Sequence, residues 1–288
     1  MNSQKIDGKQ MILWMKDLWH YPRSLTGHGT RKTLNYLKNI NPDLNIYSFN
    51  SGKKVFDWEI PDEWNIYDAY IKHESGEKFA EFKKNNLHIL GYSTPCDMHI
   101  SLDELLPHIY TQQDQPNVIP YVTSYYESNW GFCMSEKDKA HLPNGEYHVV
   151  IDAKKHKGSM EIADLVIKGE SSKEIFFSTY ICHPSMANNE LSGPVLASAL
   201  IRYIKAEFNN PKYTYRFVFV PETIGSITYI NQHLDNLQKN VICGFNLSCV
   251  GDNRAYSHIE SRMGNNLADN ALQSALINLD NVVKYSFL

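Results

Sequence analysis

The sequence predicts an α/β protein, a mostly parallel sheet flanked by helices with a small β-rich domain inserted into it. Three observations carry that expectation. After residue 151, apolar strand-length runs alternate with amphipathic helical stretches, the pattern of a parallel sheet covered on both faces. Residues 44–150 carry short β-rich runs broken by turns instead. At residues 174–206 an apolar strand passes through a polar loop into a helix, which is where open α/β sheets bind ligands. The expected division is 1–43 with 151–288 for the α/β part and 44–150 for the insert.

The elements follow in order. Met11, Ile12, Trp14, Met15, Leu18 and Trp19 form a helical stripe over residues 8–20. The turn Tyr21-Pro22-Arg23-Ser24-Leu25-Thr26-Gly27-His28-Gly29 then opens a second helix through Thr30, Leu34, Tyr36 and Leu37. Its glycines serve either a tight helix–helix connection or a ligand contact through Arg23 and His28. Within the insert, strands are expected at 44–49, 54–60, 69–72, 87–92, 119–121 and 147–151, with a helix near 102–109. Tyr121, Tyr125, Tyr126, Trp130 and Phe132 either pack its core or stack on a sugar or peptide. Beyond it, strands are expected at 161–167, 174–181, 213–220 and 241–250, with helices at 193–206, 226–237 and 267–279. The last run, 281–288, is an apolar strand with no covering helix after it, so a homo-oligomer or a partner is expected to cover it.

Composition excludes some functions. The 288 residues are 42% hydrophobic, ample for a sizeable core. A net charge of -4 with no Lys/Arg cluster gives no basis for nucleic-acid binding. No run approaches the roughly 18 apolar residues of a membrane span, and the amino-terminal segment, with scattered charges, reads as neither signal nor anchor. Five cysteines, odd in number and without CxxC spacing, fit a reducing cytoplasm. Cys182 and Cys249 read as small buried hydrophobes. Cys182 is set aside as a nucleophile because residues adjacent along a strand point to opposite faces.

The chemistry concentrates in Phe177 to Gly193, FSTYICHPSMANNELSG, followed by Pro221-Glu222-Thr223-Ile224-Gly225-Ser226, Val250-Gly251-Asp252 and Ser261-Arg262-Met263-Gly264-Asn265. A carboxylate such as Glu222, ending a buried strand just ahead of a helix, suits a general base or a metal ligand. These motifs, with Pro22-Arg23-Ser24, Asp57-Trp58, Asn86-Leu87-His88 and Pro120-Tyr121, resemble a bacterial aminopeptidase-like family associated with surface-glycan biosynthesis, itself similar to the co-catalytic zinc aminopeptidases. The resemblance covers nearly the whole chain between residues 20 and 265 and implies a three-layer aminopeptidase fold and zinc as cofactor.

That family's loop reads S-T-H-I-C-H-P-S-L-A-N-D-N-L-S-G, so its first histidine falls on Tyr180 and its metal-bridging aspartate on Asn189. Both are poor ligands: a phenol must lose a proton with an ordinary pKa of about 10, and a carboxamide brings no charge. The resemblance assigns Glu222 as catalytic base, Asp252 as metal ligand and Arg262 to a substrate carboxylate. His183 and Glu190 are the substitute ligands at hand. The family continues past this length and the related peptidases add a late histidine, whereas no histidine follows residue 260. The expectation is therefore an aminopeptidase-like protein with degenerate two-metal chemistry. The alternative is an active metal-dependent aminopeptidase or amidohydrolase acting on a small peptide or an amide of a glycan precursor.

Overall fold

The computed structural model describes residues 6–287. The first five residues and Leu288, on which part of the amino-terminal reading and the end of the 281–288 run fall, lie outside the described residues. Two helices open the chain, α1 (Gly8–Trp19) and α2 (His28–Ile40), and strand β1 (Asn45–Asn50) follows. Next come β2 (Glu63–His73), β3 (Lys78–Phe79), β4 (Cys96–Ser101) and β5 (Glu146–His156). The remainder alternates: β6 (Ser159–Ile167), β7 (Ser171–Tyr180), α3 (Ser192–Glu207), β8 (Tyr213–Val220), α4 (Ile224–Asn240), β9 (Val241–Asn246), β10 (Tyr256–Ile259), α5 (Leu267–Leu276) and β11 (Val282–Tyr285).

The central sheet runs β1-β6-β8-β7-β9. It is mixed: β7 pairs in parallel with β8 and β9, while β6 is antiparallel to both β1 and β8. A mostly parallel sheet was expected because the alternating pattern of the second half dominates the sequence. Only residues 168–170 separate β6 from β7, which leaves no room for a crossover helix, so the chain reverses there and β6 runs antiparallel to the strands that follow. Strand β1, expected inside the β-rich insert, also belongs to this sheet. The antiparallel sheet β3-β2-β5-β4 stands apart from it, and β5 runs through the boundary expected at residue 150. No strand forms at 87–92 or 119–121. A 3-10 turn, Asn86–His88, and single bridges at Ile89 and Gly91 take the place of the first, and residues 119–121 are irregular.

Alternation along the strands sorts side chains to the two faces. On β8, Phe217 and Phe219 pack with Trp14, Leu18, Leu34, Leu37, Val195 and Ile201 from α1, α2 and α3. Val218 and Val220 face the other way, toward Ile224 and Tyr229 of α4 and toward Trp64, Ile66, Tyr147 and Val149 of the antiparallel sheet. Burying such side chains stabilises by about 1.5–3 kcal/mol each. Within this core Arg216 of β8 pairs with Glu174 at 2.6 Å and Asp164 at 3.2 Å, and Tyr229 donates to Asp164 at 2.6 Å, so the one buried cation of β8 is fully paired. No helix among the described residues is long and apolar enough to cross a membrane.

Candidate metal centre at the carboxyl ends of the parallel strands

Because β8, β7 and β9 are parallel neighbours, their carboxyl ends open at one edge of the sheet, and the three loops that follow meet there. Each loop holds one non-glycine residue in the left-handed region: Ser185 (φ 43°) after β7, Thr223 (φ 59°) after β8 and Cys249 (φ 54°) after β9. Such residues cost on the order of 1–3 kcal/mol each and persist where the surroundings dictate the backbone. The approach is close. A Cβ on Gly193, at the start of α3, would stand 2.3 Å from the Leu247 carbonyl oxygen and 2.3 Å from Thr179 Oγ1.

Strand β7 ends at Tyr180; Ile181 and Cys182 still point to opposite cores, and the chain bends just beyond His183, at Pro184 and Ser185. Cys182 and His183 come together with Glu222, their ligating atoms all within 4.8 Å of one another. His183 Nε2 lies 3.1 Å from Glu222 Oε2, and the Glu222 backbone N–H donates to Cys182 Sγ at 3.2 Å. On the other side of the ring, His183 Nδ1 meets Asn189 Oδ1 at 2.9 Å. Tyr121 packs on the imidazole with ring centres 4.6 Å apart. Burial pushes the Cys182 thiol well above its ordinary pKa, and the charge of Glu190 adds to the effect.

Glu190 is fully buried in the single π-helical turn Ala187–Leu191. Neither of its oxygens has a hydrogen-bond partner among the described residues. Its nearest cation is Arg23, with Nε at 3.6 Å, and His183 Nδ1 also lies 3.6 Å away. Burial pushes its carboxyl up to about 8 against the pull of Arg23. Arg23, buried as well, donates from Nε to the His183 carbonyl at 2.9 Å, so the turn after α1 holds the loop after β7. A cleft runs beside this contact, lined by Pro22, Arg23, Ser24, Trp64, Tyr121 and Pro184. His28, the other candidate of that turn, is instead bonded to Asn65 Oδ1 at 2.8 Å and stacked on Tyr67.

The remaining sequence candidates are placed differently. Asp252 is not in the group of three. It accepts from Arg254 Nη2 at 2.6 Å and from Asn188 Nδ2 at 3.0 Å, and those bonds, led by Arg254, bring it down to about 2. Arg262 is exposed in the turn before α5, with no ion pair among the described residues. Tyr180 donates its hydroxyl to the Asn189 carbonyl at 2.8 Å and shares a hydrogen bond with Ser248 Oγ at 2.8 Å, burial pushing its pKa up to about 12. The sequence reading passed over Cys182 because it treated Cys182 and His183 as neighbours along a strand, pointing to opposite faces. Pro184, two residues on, was the available sign that the strand stops early.

A family model described as a domain of unknown function, DUF4910, matches residues 13–288. The chain belongs to the DUF4910 family. A Clostridium acetobutylicum relative, named for polysaccharide biosynthesis and an aminopeptidase-like domain, is 41% identical over 278 residues, 96% of this chain and 62% of its own length. A Clostridium acetobutylicum crystal structure named as that of a peptidase superposes with a TM-score of 0.92 at 39% identity, covering 97% of this chain and 65% of that one. This DUF4910 chain thus spans less than two thirds of both. A Bacillus subtilis zinc aminopeptidase superposes with a TM-score of 0.64 at 13% identity, covering 96% of this chain and 78% of that one, and assigns the fold alone.

The fold relatives make zinc the group to test against these residues, and a co-catalytic pair does not fit. Tyr180 keeps its proton in hydrogen bonds, Asn189 offers a carboxamide, and Asp252 is held by Arg254.

Proposed function

We propose that this protein is an aminopeptidase-like member of its family in which the two-metal hydrolytic chemistry has been lost, while the cleft beside Tyr121 and Arg23 still binds a ligand. The observation that carries the reading is the Tyr180 to Asn189 hydrogen bond: the two residues at the family's ligand positions are engaged with each other and with His183. The ligand class is a short peptide, or an amide on a surface-glycan precursor; the name of the Clostridium relative supports the latter. The antiparallel sheet is taken as a module inserted in the aminopeptidase-like part. Free cysteines throughout the described residues support a cytoplasmic location. No nucleic-acid or membrane partner belongs to this reading, and another copy of the chain is the partner proposed for β11.

The test is an assay against aminoacyl p-nitroanilides with zinc added, beside zinc counting on the double variant Tyr180→His/Asn189→Asp. Wild type is expected to show no turnover above a Glu222→Gln background, and the double variant to take up more zinc than wild type. Wild-type turnover that disappears in Glu222→Gln would overturn the proposal.

A second reading, an active amidohydrolase, is favoured by one observation, the grouping of Cys182, His183 and Glu222. The same assay decides between them.

A further inference from the structure

We infer that Cys182, His183 and Glu222 form a site for a single zinc-like ion bound through a thiolate, a different site from a co-catalytic pair. Thiolate, imidazole and carboxylate together are a zinc donor set. Bond lengths of about 2.0–2.3 Å to one tetrahedral ion put neighbouring donors roughly 3.3–3.7 Å apart. His183 Nε2 and Glu222 Oε2 already stand at 3.1 Å, and all three ligating atoms lie within 4.8 Å. The remaining closure falls to Glu222, whose side chain is 55% exposed and free to turn.

The arrangement of protons around His183 points the same way. Nδ1 faces an amide oxygen, Asn189 Oδ1 at 2.9 Å, with a Glu190 oxygen at 3.6 Å. Two acceptors there place the ring hydrogen on Nδ1, as the hydrogen-bond acceptor behind a metal-bound histidine does. The Nε2 lone pair is then directed at a carboxylate oxygen 3.1 Å away, an opposition that a cation bonded to both atoms removes. The Asn189 carboxamide, useless as a bridge between two metals, is a suitable acceptor for orienting His183 toward one.

Glu190 is the independent observation. It is fully buried, its oxygens lie 3.6 Å from Arg23 Nε and 3.6 Å from His183 Nδ1, and neither is hydrogen-bonded among the described residues. A buried carboxyl without a hydrogen bond, beside a thiol and an imidazole, is a setting that a bound cation would stabilise in addition to Arg23. On binding, the Cys182 S–H bond breaks, sulfur keeps the electron pair and donates it to the metal, and the proton leaves to solvent.

This inference is compatible with the loss of two-metal hydrolysis and is tested separately from it. Cobalt(II) is added to the full chain, bound cobalt is counted by equilibrium dialysis, and the thiolate-to-cobalt charge-transfer band is recorded. One equivalent is expected, with a band that Cys182→Ser removes and Cys249→Ser leaves. Glu222→Gln, a change at a half-exposed side chain that preserves the fold, is expected to weaken binding by more than about tenfold, the lower end of what an outer-shell change costs. No cobalt uptake by wild type, or a band that survives Cys182→Ser, would overturn the single site and leave the proposed function standing. Two equivalents in wild type would overturn both.

Discussion

Among single residues, the contrast between Glu63 and Glu190 shows how partners decide the state of a buried carboxylate. Burial disfavours the charge on both. Glu63, at the start of β2, has Arg31 as its ion-pair partner, Asn65 Nδ2 at 2.9 Å and the Ser159 backbone N–H at 3.1 Å, and these outweigh burial and bring it down to about 2. Glu190 has no hydrogen bond and is pushed up to about 8. For Glu63 the folded pKa lies below the unfolded value. Its contribution to stability is therefore present above about pH 4.5 and is lost as pH falls toward 2. Glu63→Gln is expected to lower unfolding free energy by about 1–3 kcal/mol at pH 7, leaving Arg31 with only Glu161. Urea midpoints from pH 7 to pH 3 should converge for the two proteins, and a gap that stays constant with pH would contradict this account.

At the level of elements, the site exists because β8, β7 and β9 end together and α3 starts close against the loop after β9. Gly193 makes that approach possible. Gly193→Ala places a methyl group against the Leu247 carbonyl and Thr179, and is expected to cost about 1–3 kcal/mol by overpacking. It should also weaken metal uptake, since the loops must part. A thermal midpoint within a degree of wild type would show that the loops yield freely. The strands that build this edge were legible in the sequence: β8 lies at the expected residues 213–220, and β7 and α3 within three residues of expectation. Their signal is strong because both faces of β8 are buried, giving an almost unbroken apolar run. The insert was legible only in texture. Strand β4, Cys96–Ser101, was missed although Cys96, Met98 and Ile100 alternate with Asp97, His99 and Ser101, the period of a half-buried strand. Glu222 and His183 were likewise legible as site candidates. Cys182 was not, because its place depends on where β7 stops, and Asp252 was over-read, because its pairing with Arg254 depends on the loop's conformation.

Across the whole molecule, the two ends of the central sheet are unequal. Strand β1 is paired along its whole length with β6, whereas the β10–α5–β11 unit beyond β9 is open. Its two strands pair in parallel and every residue of β11 is exposed. Isolated two-stranded pairs are marginal in water, and parallel strands are ordinarily covered on both faces. Ile277 (78% exposed), Leu279, Val283, Tyr285 and Phe287 add an apolar surface around them. A surface of that kind, with an unprotected strand edge, favours association with a second chain. Sedimentation velocity is therefore expected to give a weight-average mass that rises with protein concentration. Lysine at an edge strand opposes pairing by placing a solvated charge in the contact, so Val283→Lys should weaken self-association at least about tenfold, roughly 1.4 kcal/mol. Circular dichroism checks that the variant remains folded, and cobalt uptake at Cys182 should be unchanged, because β11 does not contribute to that group. A wild-type chain that sediments as a monomer at every concentration would show that β11 tolerates water unaided.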